Sequence, residues 1–498
     1  MHKSFVKLVI LLLMVVNTSE VLAEAIYDTV ILNGKVVDPK LRIVETLNVG
    51  IQEGKVAYLG TQGIKGTVTI DAIEQYVVPG FIDLHSHAMS PMGQYYQAFD
   101  GVTTALELEA GIYPISALSS QFEDKAAINF GASVSHLAAR QRVMANTVQP
   151  HFTDVPKALD DSTAFQPKDA FLKKASEEQI AQIVALMSQG LDEGGLGIGL
   201  LIDYLAPALS EEELAAVFAL AGKRNVPVFV HMRRGMPGDL SGLDEVLSLA
   251  EAFNAPLHVC HLPASTMGGV NEALARIHSA NQRGQRVTTE AYPYHAGSTS
   301  IGAAVFKRDW RAIFDIDYHD VQWAATGERL DERSFAHYQS QQPNGQVIHH
   351  YGKSEWTGAA INNPSVVVAS DAMPLSNDTQ YVHPRGIGTF LRVLSHYTDI
   401  FDAEGELSLL DAVTKMTLLP AKILQNMAPN FGNKGHLGIG ADADIAIINP
   451  ESVKDRATYL APMQTSRGVS WLLVKGQPVI ANRIFQEVIR PGRIVVAQ

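Results

Sequence analysis

His85-Ser86-His87 closes the apolar run VVPGFIDL. Residues two apart on a strand project to one side, so the two imidazoles can chelate one metal ion, and Asp83 shares their direction and can orient a ligand. With 17 histidines among 498 residues, chance supplies roughly half of one His-x-His pair, so its place at a strand end carries the argument. Three further residues stand just beyond apolar runs: His231 after VPVFV, His261 after LHVC and Asp371 after SVVVAS. Each alone reads as an ordinary hydrogen-bonded group, whereas four strand ends in agreement read as one site.

A metal site also needs anionic ligands. Glu107 and Glu109 in TTALELEAG share one face of an inner strand, where an unpaired carboxylate is costly. Glu109, nearer the strand's C-terminal end, is preferred as a carboxylate bridging two metals. Glu107 is the reserve, and a buried ion pair is the competing account. Such donors suit zinc, as one or two divalent ions, with manganese, iron or cobalt also compatible. A bound metal would polarise a scissile carbonyl and lower the pKa of its water to about 7. Asp371, whether or not it also binds metal, is then placed to act as general base and to carry the proton to a leaving nitrogen. Cys260, the only cysteine, immediately precedes His261, so alternation turns it to the opposite side of its strand as a small packing residue. With one cysteine there is no internal disulfide.

The elements that must position these groups follow from hydrophobic patterning. YVVPGFIDLHSH, GVTTALELEAG, AINFGASVSHL, GLGIGLLIDY, VPVFVHM, APLHVCHL, RVTTEAYPY and SVVVASDA read as eight buried parallel strands, which predicts a TIM-like (β/α)8 barrel over residues 77–430 with its chemistry at the strands' C-terminal ends. Ser176 and Ser210 open acidic, apolar-periodic helices that would cover the sheet. The segment 303–363, rich in aromatic and charged residues, breaks the rhythm and reads as a lid-like insertion over the barrel mouth. Short alternating runs over 24–76 and 431–498, including IRPGRIVVAQ, predict that both ends of the chain build one small β-sandwich.

Lys3 and Lys7, the apolar stretch Leu8–Val16 and Val21-Leu22-Ala23 form a signal-peptide pattern over residues 1–23, with cleavage expected after Ala23 and an exported, periplasmic or secreted product. The apolar run is shorter than the roughly 18 to 20 residues that span a bilayer, so stable membrane insertion is not expected. A net charge of −13 argues against nucleic-acid partners, which require basic patches.

Taken together, HSH, VHM, VCH and ASD on successive strands, with VILNGKVVDP and GIGADADIAI at the flanks, resemble the amidohydrolase superfamily over nearly the whole mature chain. GLGIGLLIDYLAPALSEEELAAVFALA, VHMRRG, EAYPYHAGSTS and HPRGIGTFLRVLSHY, followed by LSLLDAVTKMTLLPAKIL, look most like the D-aminoacylase (N-acyl-D-amino-acid deacylase) family. The resemblance implies His85, His87, His231 and His261 as metal ligands and Asp371 as catalytic base. It further implies Tyr292, Ser298 and Arg385 as the groups that hold the free carboxylate of a small N-acylated amino acid, for which a guanidinium is well suited. Two departures stand out. GVTTALELEAG has Ala110 near the place of the family's metal-binding cysteine, which leaves metal number and bridging ligand open. Pro263 stands where the family has a lysine, so substrate choice can differ.

The resemblance implies hydrolysis of N-acyl-D-amino acids to a carboxylate and a D-amino acid; handedness comes from the resemblance alone. A cyclic-amide hydrolase or dipeptidase of the same superfamily would share the metal site. A non-catalytic exported binding protein would keep the pocket and tolerate Asp371→Asn.

Overall fold

The computed structural model describes residues 26–122, 124–146, 168–376, 379–401 and 404–498. The expected signal segment and its cleavage site lie outside the described residues.

Five strands open the described chain, β1 (Ile26–Asp38), β2 (Ile43–Gln52), β3 (Lys55–Gly60), β4 (Lys65–Asp71) and β5 (Tyr76–Pro79). β1 pairs β2 antiparallel along one edge, and its other edge is shared in parallel by β4 and then β5, so the sheet forks. The fork falls at a bulge around Asn33 and Gly34, where a Cβ on Gly34 would lie 2.4 Å from Val77.

Seven barrel strands follow: β6 (Phe81–Asp83), β7 (Val102–Ile112), β8 (Asn129–Ser135), β9 (Ile198–Leu201), β10 (Val228–His231), β11 (Leu257–Val259) and β12 (Val287–Ala291). Three short strands, β13 (Gly297–Ser300), β14 (Val321–Trp323) and β15 (Gln346–His349), precede the eighth barrel strand, β16 (Val366–Val368). The parallel order is β16-β12-β11-β10-β9-β8-β7-β6, and a bridge between Ser86 and Ala372 draws the two ends together. Each of the eight runs picked out in the sequence contributes one strand to the barrel. The interior is apolar toward the helices, with Leu106, Leu108 and Val230 fully buried, and polar toward the C-terminal mouth.

The run YVVPGFIDL does not form one strand. It divides at Gly80, whose N–H donates to the carbonyl of Asp444 (2.8 Å) and where a Cβ would meet Thr103 at 2.2 Å. β5 thus stays with the terminal sheet and β6 enters the barrel. The helices behave as their first turns predict. Ser176 and Gln179 close a capping box on Glu177–Asp192, and Ser210 caps Glu211–Arg224, each cap contributing about 1 kcal/mol.

Between β12 and β16, the strands β13, β15 and β14 form an antiparallel sheet with its own aromatic core, including Phe306, Trp310, Phe314 and Phe335. This inserted unit begins at Gly297 rather than near residue 303, because GSTS has no apolar signal and becomes a strand only by pairing with β15. The helix Ser354–Ile361 packs on β12 and β16 as their crossover, so the end of the expected insertion belongs to the barrel.

The C-terminal strands are β17 (Ile445–Ile448), β18 (Val469–Val474), β19 (Gln477–Ala481) and β20 (Ile484–Phe485). β17 pairs antiparallel with β5, Ile447 opposite Val77, which joins both ends of the chain in one nine-stranded sheet. Ile31, Val49, Val77, Ile445 and Leu473 form its core. The last residues depart from the expected sheet. Phe130 N–H donates to the carbonyl of Arg493 (3.1 Å) and Val495 N–H to that of Phe130 (2.7 Å), so IRPGRIVVAQ docks against barrel strand β8 ahead of Val134, where its ladder with β9 begins.

Candidate metal centre and substrate cavity

The His85–His87 segment is held on both sides by backbone bonds. Ser86 N–H donates to the carbonyl of Leu106 (2.9 Å), His87 N–H to that of Ala372 (2.8 Å), and Asp371 N–H to that of His85 (2.8 Å). Asp83 supports the same corner from below, accepting from the N–H (3.0 Å) and hydroxyl (2.5 Å) of Ser370 and from His85 N–H (3.2 Å). It orients backbone rather than an imidazole.

All six expected donors converge. His85 Nε2 lies 3.1 Å from His87 Nε2, 3.4 Å from Asp371 Oδ1 and 3.2 Å from Glu109 Oε2. Glu109 Oε1 lies 2.9 Å from His231 Nδ1 and 2.7 Å from His261 Nε2. His85, His87 and Asp371 therefore form one donor group and Glu109, His231 and His261 another, with the two oxygens of Glu109 directed to the two groups. Glu107, the reserve candidate, sits one layer out at 2.6 Å from His87 Nδ1. Glu290 does the same for His85, 2.5 Å from its Nδ1, and also faces His258 Nε2 at 3.0 Å. With both Nδ1 positions engaged by carboxylates, the Nε2 lone pairs of His85 and His87 face each other, an arrangement that suits a shared cation.

The electrostatics agree. Burial disfavours the imidazolium of His85, but Glu109, Asp371 and Glu290 outweigh it and push its pKa well above that of free imidazole. Burial likewise opposes the charge on Glu109, and His85, His231 and His261 hold its carboxyl well below the usual range. Asp371 is lowered against burial by Arg385 and His85. Four imidazoles and two ionised carboxylates packed in this way form a nitrogen and oxygen donor set of the kind that holds zinc or a similar divalent ion.

Alternation along β11 differs from the expectation. His258 and Cys260 face inward, Cys260 lying within ligand range of His85 and Glu109, and not outward against helices. His261 also reaches the centre because its backbone turns left-handed there (φ 34°), breaking the alternation. Asp371 is likewise left-handed (φ 51°), so two donors are delivered by turns that strand periodicity does not encode.

A cavity opens from this centre toward the inserted sheet, and Tyr292, Ser298 and Arg385 are among the residues that line it. The guanidinium of Arg385 lies over the Tyr292 ring (4.6 Å), donates from Nε to the backbone carbonyl of Asp371 (2.6 Å) and stands 2.9 Å from Asp371 Oδ1. Sequence reasoning missed Tyr204, Arg234, His349 and Tyr351 on the same wall. It also missed Glu290 and His258, although a glutamate inside the apolar run RVTTEAYPY carries the same signal as Glu107.

Comparison with known proteins places this geometry in context. The model of the amidohydrolase family matches residues 76–278. The chain is similar to an N-acyl-D-glutamate deacylase of Alcaligenes xylosoxydans xylosoxydans, 27% identical over 94% of this chain and 96% of that one. It is similar also to a D-aminoacylase of the same organism, 25% identical over 92% and 96%. Its fold matches that of an N-acyl-D-glutamate deacylase from Bordetella bronchiseptica solved with zinc and a phosphonate inhibitor, with a TM-score of 0.75 and 24% identity over 95% of this chain and all of the other. The barrel and the terminal sheet are thus the fold of that structure, and residues 76–278 form an amidohydrolase family domain.

Proposed function

We propose that the protein is a metal-dependent hydrolase that cleaves the amide bond of N-acyl-D-amino acids, releasing a carboxylate and a D-amino acid. The observation that carries this reading is the Glu109 carboxylate shared by two donor groups at the floor of a cavity that also presents Arg385. His85, His87 and Asp371 would hold one ion and His231 and His261 another, with Glu109 reaching both. One or two divalent ions fit, zinc foremost; when bound they polarise the substrate carbonyl and activate water. Asp371, kept ionised by Arg385, accepts the proton of the attacking water and returns it to the leaving nitrogen. Arg385, Tyr292 and Ser298 orient the substrate's free carboxylate, and the inserted sheet covers the cavity and limits water. The named activities of the similar proteins support the linear amide and the D configuration.

The test is release of amine from matched N-acetyl-D- and N-acetyl-L-amino acids by zinc-loaded protein, beside Asp371→Asn. Turnover of D substrates, lower by orders of magnitude in a variant that still binds metal, is expected. Turnover of hydantoins or dipeptides alone would replace this reading with a cyclic-amide hydrolase or dipeptidase. Export belongs to the same proposal and is supported by the N-terminal sequence pattern alone; N-terminal sequencing of the mature protein should begin at Glu24.

A further inference from the structure

We propose that Arg234 is a recognition group for a second carboxylate, so that the favoured substrate is an N-acylated amino acid with an acidic side chain. The inference rests on the deacylase reading and deepens it. Arg234 follows β10 by three residues, is 8% exposed and lines the same cavity as the donor groups and Arg385. Its nearest acid is Asp203, but the two are 3.7 Å apart and the carboxylate is already engaged. Arg308 Nη2 stands 3.0 and 3.1 Å from its two oxygens, and the backbone N–H of Arg234 donates to Oδ1 at 3.0 Å. The trio of Arg234, Arg308 and Asp203 thus carries one net positive charge.

The Arg234 guanidinium lies 5.1 Å over the Phe314 ring and donates from Nε to the carbonyl of Ala264 (3.3 Å). Among the described residues, neither Nη1 nor Nη2 donates to an acceptor within hydrogen-bond distance. A buried guanidinium with two undirected nitrogens and surplus charge is stabilised by an anion entering the cavity, and its planar fork suits a carboxylate. Arg385 is the other cation on this wall, and His349 and Tyr351 lie in the field of both arginines. Arg385 touches Asp371, so it stands beside the scissile amide, where the α-carboxylate of an N-acyl amino acid must lie. Arg234 has no contact with Asp371 and takes the distal group.

The experiment compares kcat/KM of the zinc-loaded full chain for N-acetyl-D-glutamate and its neutral isostere N-acetyl-D-glutamine, in wild type, Arg234→Met and Arg234→Lys. Wild type should prefer glutamate at least tenfold, Arg234→Met should erase the preference mainly through KM for glutamate, and Arg234→Lys should keep part of it. Equal use of the two substrates by wild type, or a preference unchanged in Arg234→Met, would overturn the proposal. Calorimetric binding of glutarate to the same zinc-loaded proteins separates this idea from the deacylase reading. If no N-acyl amino acid is turned over, glutarate binding that weakens at least tenfold in Arg234→Met still upholds the anion site. Unchanged glutarate binding rejects it, whatever the reaction.

Discussion

Glu290→Gln isolates the layer that supports the metal centre. Glu290 is almost fully buried and accepts from His85 Nδ1 and His258 Nε2, while His258 Nδ1 stands 2.8 Å from the hydroxyl of Thr288. A glutamine fits without an orphaned group. Its oxygen accepts from His85, and its amide donates to His258 once that ring moves its proton to Nδ1, toward Thr288. What is lost is the charge of the acceptor, which makes a hydrogen bond roughly twice as strong as a neutral one, a difference of about 1 kcal/mol. It also makes His85 a more basic ligand, and changes at such positions typically weaken metal binding about 10 to 100-fold, or roughly 1.4 to 2.7 kcal/mol. Competition with a chromophoric chelator measures this affinity directly. The expected result is zinc affinity reduced within that range, with kcat at saturating zinc falling less than tenfold and the melting temperature of the metal-loaded protein nearly unchanged. Zinc affinity within twofold of wild type would refute the assignment of Glu290 as the group that positions His85.

Other consequences can be checked with simpler assays. In Gly199→Ala the new Cβ would lie 2.5 Å from the carbonyl of Glu109 and 2.8 Å from Ser133 Oγ, so β7 must shift; kcat/KM should fall more than tenfold with the circular dichroism spectrum retained. Chelation of the metal should abolish turnover and lower stability by RT ln(1 + [L]/Kd), about 2.7 kcal/mol where free zinc had stood at 100 times Kd, and zinc should restore both; a melting temperature indifferent to chelator would contradict it. Burial lowers the pKa of Lys415 from 10.5 to about 7, and its ammonium group donates to the carbonyl of Asn363. The unfolded chain holds that proton across the window from about 7 to 10.5, so this residue adds stability as pH rises through it, by at most about 1.4 kcal/mol per unit. Urea unfolding at pH 7 and 9 should show that increment in wild type and lack it in Lys415→Met.

The convergence of these donors was legible because buried charge is expensive. A histidine or aspartate ending an apolar strand, and glutamates inside one, leave few accounts other than a shared site. The same economy made the eight strands visible. Glu290 met the same criterion and was passed over, the family resemblance having drawn Tyr292 of the same run toward the substrate. Cys260 was misplaced because alternation was counted through His261, whose left-handed backbone lets it and its neighbour both face the centre. The inserted sheet was legible as a break in rhythm but not in its boundaries, since GSTS pairs through backbone alone. Arg234 gave no signal at all. An arginine past a strand end is usually solvated, and only the tertiary neighbours Asp203, Arg308 and Phe314 make it otherwise.

The seating of β5 between β1 and β17 sets a constraint on biosynthesis. Nearly the whole barrel separates Pro79 from Ile445; at about 5 to 20 residues per second, a ribosome takes roughly 20 to 70 s to supply the partner of that edge. For that time the nascent sheet exposes Val77 and Val78 beside an unpaired row of backbone groups, the kind of surface that recruits other chains. Strand β8 waits longer still for the residues around Ile494. The protein therefore depends on what shields these edges while it is being made, and its refolding yield from denaturant should fall steeply with protein concentration.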